Sequence, residues 1–389
     1  MLMELIAILL ATKAGGWLAQ RLGQPAVLGE LIAGVVLGPS VFGLLHPSEL
    51  ITDLAQLGVI ILMFIAGLET DLQQLGESGG PALLVASGGV VLPFLGGVLV
   101  GRTFGLSWAQ SAFAGTILTA TSVSISAQTL LEMNRIQSRE GVTILGAAVI
   151  DDVLGIIVLT LVASFTGTKG ATRSVVGVLE HMTLYFLAAG LAGLFVLPHL
   201  AGFVAQLDIS EGLLTFSLVV CLLFSWGAEV SGVAAITGAY LAGVFFSRTP
   251  YGRKVEDRVQ ALGYALLVPV FFINIGLNAQ LGSIRGSLIA FSAVFVVVAV
   301  LGKVLGCGLG AGLAHYPWVS ALRVGVGMIA RGEVGIIVAD LGLKGGIIDP
   351  ALYSMAVLVV LLTTLVTPPL LRLAFVLGGE KAVQHQTEP

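Results

Sequence analysis

Apolar residues run through this chain in blocks of about twenty, separated by short clusters of charge, Gly and Pro. A helix needs about 20 mostly apolar residues to cross a bilayer, so each block predicts a membrane span and not the one-sided stripe of a water-soluble helix. Thirteen blocks are found, at 2–20, 26–43, 52–68, 82–101, 109–131, 141–165, 175–198, 211–228, 232–247, 260–277, 286–312, 318–342 and 350–375. The first is a retained span and not a cleaved leader, because Glu4 stands where a basic start is required. The predicted fold class is an all-α polytopic membrane protein of about 13 transmembrane helices.

Composition narrows the classes. Only 10% of the 389 residues are charged, against roughly 25% in soluble domains, which cannot keep a wet surface on so few charges. Soluble enzymes, nucleic-acid binders and disulfide scaffolds are excluded on that ground, and Cys221 and Cys307 both lie inside apolar runs. The 52 glycines suit helices that approach closely in lipid. Loop cations divide by side. Arg21, Arg135, Arg139, Arg248, Arg253, Lys254, Arg258, Arg372 and Lys381 fall on one, and Arg102, Lys169, Arg173, Arg285 and Lys344 on the other. The positive-inside rule then puts the N-terminus outside and the C-terminus in the cytoplasm.

Three local matches recur at one displacement of 209 residues: Gly29-x-x-Ile32-Ala33-Gly34-Val35 with Gly238-x-x-Leu241-Ala242-Gly243-Val244, Gly67-Leu68-x-x-x-Leu72 with Gly276-Leu277-x-x-x-Leu281, and Ser111-Ala112 with Ser320-Ala321. The displacement corresponds to seven spans, an odd number, so the second six-helix repeat is inverted. Inverted repeats around interrupted helices are the plan of secondary transporters. Two interruptions fall at equivalent places in the crossing spans 5 and 12: the hydroxyl-rich Thr119 to Ser126, and the stretch around Gly325, Gly327, Gly332 and Gly335.

An ionisable side chain at span depth is a functional candidate by default. Asp151 and Asp152 lie mid-span, about 100° apart on a helix, so one can face a partner while the other faces a pathway. A carboxylate that accepts a proton or an alkali cation, never both, is the minimum device for exchange. Lys303, deep in its span, needs an anion, and the aspartates are the candidates. Arg331 would meet the negative end of the first half of span 12 and Glu333 the positive end of the second, compensating the helix break. Hydroxyls and freed carbonyls at Thr121 and Ser122 are placed to complete a cation shell, with helix packing as the alternative. Glu30 is read as a bond across helices, Asn274 and Gln128 as either pathway or selectivity positions or bonds across helices, and Glu69 and Asp71 as either a funnel or a wet loop. Lys13 and Arg323 are expected to reach an interface. No spacing supports a resident metal site.

The segments Gly146-Ala147-Ala148-Val149-Ile150-Asp151-Asp152-Val153-Leu154-Gly155, Leu301-Gly302-Lys303-Val304-Leu305-Gly306 and Ala330-Arg331-Gly332-Glu333-Val334-Gly335 resemble those of bacterial sodium/proton antiporters of the second cation:proton antiporter family. Pro25-Ala26-Val27-Leu28-Gly29-Glu30 and Ala120-Thr121-Ser122-Val123 extend the resemblance over essentially the whole chain. It implies a homodimer in the bacterial inner membrane and an elevator motion. It also implies dimerisation-domain helices at 1–73 and 201–281, core helices at 74–168 and 282–377, a linker helix at 169–200 and a short tail at 378–389. It implies that Asp152 is the principal carrier of Na+ and H+, that Asp151 pairs with Lys303, and that Thr121 and Ser122 lie near the ion. No cofactor, enzymatic activity or nucleic acid is expected. Asn274 departs from the apolar or small residue expected there and bears on the choice of Na+ or K+. Potassium transporters related by fold often carry a cytoplasmic nucleotide-binding domain, whereas only a short tail is expected after the last span. The expected function is electrogenic exchange of cytoplasmic Na+ for external H+, with Li+ or K+ as other cargo. The rivals are a K+/H+ or mixed antiporter and, further off, a sodium-coupled organic-anion symporter. An intramembrane aspartyl protease is disfavoured because adjacent aspartates cannot bracket a peptide bond, and a channel because no pore loop is present.

Overall fold

The computed structural model describes residues 2–166, 175–207, 209–278 and 287–377, without the side chains of Val175, residues 287–289 and Glu333. Expectations that fall on Lys169, Arg173, Leu281, Arg285, Lys381, the Glu333 side chain and the tail 378–389 lie outside the described residues.

The described residues are helical throughout their ordered elements. In chain order these are α1 (Leu2–Arg21), α2 (Ala26–Leu37), α3 (Glu49–Leu68), the short α4 (Leu72–Glu77), α5 (Gly79–Thr103), α6 (Trp108–Thr119), α7 (Val123–Glu132), α8 (Arg139–Thr166), α9 (Val175–Leu191), α10 (Leu197–Val204), α11 (Gly212–Val230), α12 (Ala235–Ser247), α13 (Gly252–Leu262), α14 (Val268–Leu277), α15 (Ser287–Leu313), α16 (Trp318–Gly327), α17 (Glu333–Lys344) and α18 (Pro350–Val376). A wide π-helical turn, Ala192–Val196, joins α9 to α10, and another, Gly263–Leu267, joins α13 to α14. Counting those joined pairs as single helices, nine described helices are long and apolar enough to cross a membrane. Two shorter apolar helices, α2 and α12, accompany them. The pairs α6/α7 and α16/α17 are the two interrupted spans, broken where the 209-residue repeat puts them. Boundaries shift by a few residues, most at the tenth apolar block, which begins at 260 whereas its helix begins at Gly252. The charges of α13 end the apolar run without ending the helix, because a helix leaving the bilayer can keep its backbone bonds in water.

Packing separates the helices into two groups. In the first, α5 lies against α15, α6 and α8, while α16 and α17 close on α18. Gly88 and Gly306 set the α5 to α15 approach: a Cβ on either would stand 2.1–2.2 Å from the other's carbonyl oxygen. In the second, α12 lies against α3 and α11, and α14 against α2 and α3. The groups meet where α7 packs on α2 and α3, and where α8 packs on α9.

Arg323 overturns one expectation. It is buried, not snorkelling: its guanidinium bonds Glu140 at 3.1 Å and the carbonyls of Ala374 and Phe375. It ties the start of α8 to the end of α18, a partnership between residues far apart in the chain. Lys13 is exposed and donates to the Tyr264 carbonyl in the second π turn.

Candidate functional site

Asp151 and Asp152 occupy the middle of the 28-residue helix α8, where successive side chains turn through about 100°. That rotation sends them to different helices. Asp151 accepts from Lys303 Nζ of α15 at 3.0 Å, with the two side chains 1% and 0% exposed. Gly89 of α5 makes room for the ammonium: a Cβ there would lie 3.4 Å from Nζ and 2.4 Å from Cys307 Sγ. Taking two charges this far from water is tolerated because each neutralises the other. Asp152 turns the other way, and its Oδ2 accepts from the Thr237 hydroxyl of α12 at 2.8 Å.

The two helix breaks cross beside this pair. Ala120 and Ser122 are extended, and the Ser122 N–H donates to the Ala330 carbonyl at 2.7 Å, so the broken strands of backbone satisfy one another. Ser126 Oγ donates to the Gly327 carbonyl, and Thr364 Oγ1 of α18 to that of Arg331. The crossing requires glycine at 332, since a Cβ there would stand 2.8 Å from Ser122 Oγ. Arg331 is fully buried and donates to the carbonyls of Ile329, Leu118 and Ala299. It therefore meets the end of α6, from the other repeat, as well as the stretch that follows α16. A helix break read along one span does not reveal that the crossing brings the second negative helix end to the same point. Arg331 also lies close enough to Asp151 for their charges to interact.

The remaining candidates divide. Thr121 is buried and its Oγ1 makes no hydrogen bond, while Ser122 Oγ pairs with Ser124 Oγ at 3.0 Å. Gln128 donates to Glu132 at 2.9 Å, and Glu132 in turn accepts from the N–H groups of Ala26 and Val27. This caps the start of α2 from the opposite helix group. Glu30 feels the charges of Glu132 and Lys13. Asn274 sits on α14 and accepts from Asn278, with no described hydrogen bond to the aspartates. Asp71 caps α4, and Glu69 accepts from Gln260. Thr237, Thr364 and Glu132 are not singled out by the sequence. A Thr in an apolar helix commonly bonds its own backbone, and only the fold reveals that Thr237 reaches a carboxylate.

With the geometry in place, known proteins supply the context. Residues 6–376 match the family described as sodium/hydrogen exchanger, transmembrane. The chain belongs to the sodium/hydrogen exchanger family. This exchanger is 42% identical over 372 residues to the Na(+)/H(+)-K(+) antiporter GerN of Bacillus cereus, covering 96% of this chain and 95% of that one. It is 38% identical over 369 residues to an Na(+)/H(+) antiporter of Enterococcus hirae, covering 95% and 96%. Its fold is that of the sodium proton antiporter MjNhaP1 from Methanocaldococcus jannaschii, with a TM-score of 0.73 over 99% of this chain and 98% of that one at 16% identity. The resemblance to bacterial sodium/proton antiporters is thereby borne out at the level of family and fold.

Proposed function

We propose that the exchanger moves Na+ out of the cytoplasm against H+ entering, with Asp152 as the group that carries one or the other. The observation that carries this reading is position. Asp152 stands at the middle of α8 and faces the boundary between the two helix groups, whereas Asp151 is matched by Lys303 inside one of them. A carrier carboxylate has to sit where the parts move against each other. The unbonded hydroxyl of Thr121 adds a hard oxygen donor of the kind alkali cations take, and Ser122 lies beside it. Because Asp151 and Asp152 turn to different helices, they cannot share a substrate between them, which argues against aspartyl protease chemistry.

In this reading the first helix group is the core, 74–168 with 282–377. It slides against the dimerisation helices, 1–73 with 201–281, while the helix at 169–200 links them. Two chains assemble in a bacterial inner membrane with their C-termini in the cytoplasm. Cation arrival at Asp152 displaces its proton and weakens the Asp151 to Lys303 pair. If Lys303 gives up a proton as well, each cycle moves net charge, and about 2.3 kcal/mol per charge per 100 mV becomes available. Arg331 serves the crossing and not the ion.

A K+/H+ or mixed exchange is the second reading, favoured by the name of the Bacillus cereus relative. The experiment is cation-induced proton release from proteoliposomes, scanned over lithium, sodium and potassium for wild type and Asp152→Asn. Loss of all exchange in the variant is expected. Undiminished exchange would overturn the site, and a response to potassium alone would replace sodium as the cargo.

A further inference from the structure

Thr237 and Asp152 meet across the boundary between the helix groups. Thr237 is 2% exposed, and its support is rigid: a Cβ on the adjacent Gly238 would stand 2.2 Å from the Phe224 carbonyl, so α12 is seated directly on α11. The hydroxyl belongs to one repeat alone, since the position 209 residues earlier is Leu28.

Apolar contacts lie beside this bond. Val153 and Ile156, just beyond Asp152 on α8, rest on an apolar cluster that includes Val178, Met182, Ala228 and Val233. Apolar contact is non-directional and tolerates sliding, whereas a hydrogen bond is lost within a displacement of about 1 Å. A hydroxyl donor also discriminates by charge. Its bond to an ionised oxygen is roughly twice as strong as one to a neutral group.

From these two properties we infer that Thr237 is a positioning residue that latches the ionised, unloaded Asp152 to the opposite helix group, so that the groups part only once the carboxylate is loaded. The inference rests on the reading of Asp152 as the carrier. Coupled exchange needs such a device. A carrier that crosses empty moves sodium or protons uncoupled and dissipates the gradients that exchange builds and uses. Desolvation of a bare carboxylate already opposes an empty crossing. The latch adds to that barrier in the conformation where the bond is made, and it weakens when a proton or cation occupies the oxygen it holds.

Thr237→Val removes the donor at nearly constant shape. The full-length protein is placed in vesicles loaded with sodium chloride, at equal pH on both sides and with the membrane potential clamped at zero. Tracer sodium leaving and protons entering are read together. Wild type fixes a ratio. In Thr237→Val the sodium released per proton taken up is expected to rise, as empty crossing speeds up by about tenfold, the scale of a lost bond to a charged group. Thr237→Ser, which keeps the donor, is expected to restore the wild-type ratio. A wild-type ratio in Thr237→Val overturns the latch. So does loss of both fluxes in a variant that elutes as the same folded species, because a latch is not required for loaded crossing. If Thr237→Val does not fold, Thr237→Ala is read by the same criteria. Asp152→Asn run in parallel separates the two readings: continued exchange there sinks the carrier itself, whereas silence there with a tightly coupled Thr237→Val sinks only the latch.

Discussion

Asp151 and Asp152 are neighbours in the chain and sit in two different regions of the molecule. The first ends inside one helix group, against an ammonium that no solvent reaches; the second ends at the border of that group, against a hydroxyl supplied by the other. One residue of helical rotation makes the difference. A charge deep in a packed group has to be matched permanently, because leaving it bare costs several kcal/mol. A charge at a sliding boundary can be matched in one conformation and exchanged in the next. On the proposed reading, the two carboxylates have the same chemistry and opposite duties.

The largest effect that tests this contrast is at the boundary. Asp152→Asn keeps an acceptor for Thr237 and removes the exchangeable charge, so turnover in proteoliposomes is expected to fall by at least about a hundredfold, the scale of losing the group that does the chemistry. Its thermal midpoint in detergent should stay near wild type. Collapse of both would show that Asp152 is structural like its neighbour.

The next largest lies inside the group. Lys303→Ala strands a buried Asp151, which costs about 3–5 kcal/mol, and the midpoint of thermal unfolding should drop by several degrees. The double variant Asp151→Asn with Lys303→Met should recover most of it. Stability that ignores Lys303→Ala would mean the pair is not the matched charge the geometry describes.

A third test addresses the crossing that holds both regions in register. Gly332→Ala drives a Cβ to within 2.8 Å of Ser122 Oγ, and exchange is expected to fall about tenfold. Adding Ser122→Gly makes room and should restore part of the rate. No rescue would place the loss elsewhere than at this contact.

The smallest effect is expected away from both regions. Burial first, and then the charge of Glu256, push the Glu69 carboxyl up to about 7 against the bond from Gln260. Above that pH the group is charged and attracts cations to the end of α3; below it the group is neutral. Glu69→Gln should therefore raise the sodium KM about twofold near pH 8 and leave it unchanged near pH 6. A shift equal at both pH values would remove Glu69 from the approach path.

Much of this arrangement is legible before folding. The helix breaks at Ala120 to Ser122 and Met328 to Gly332 are announced by their composition and by the shared displacement of 209 residues. That Lys303 pairs with one of the two aspartates is announced by scarcity, because a chain with 10% charge cannot leave an ammonium in lipid without an anion. Arg323 misleads for the same reason that Lys303 does not. It lies close enough to the start of its segment to suggest an interface, yet two helix ends converge on it and supply Glu140 and two carbonyls.

Sequence on its own settled the all-helical membrane class and the two places where helices break, because hydropathy and helix propensity act on neighbours along the chain. It also narrowed the chemistry to a handful of charges. Which aspartate holds the lysine and which faces the other helix group depended on the rotation of α8 against α15 and α12. That Arg331 serves the ends of two repeats at once, and that Thr237 reaches a carboxylate 85 residues away, depended on how the helices cross. Those partnerships are properties of packing, and packing is resolved only when every helix has found its neighbours.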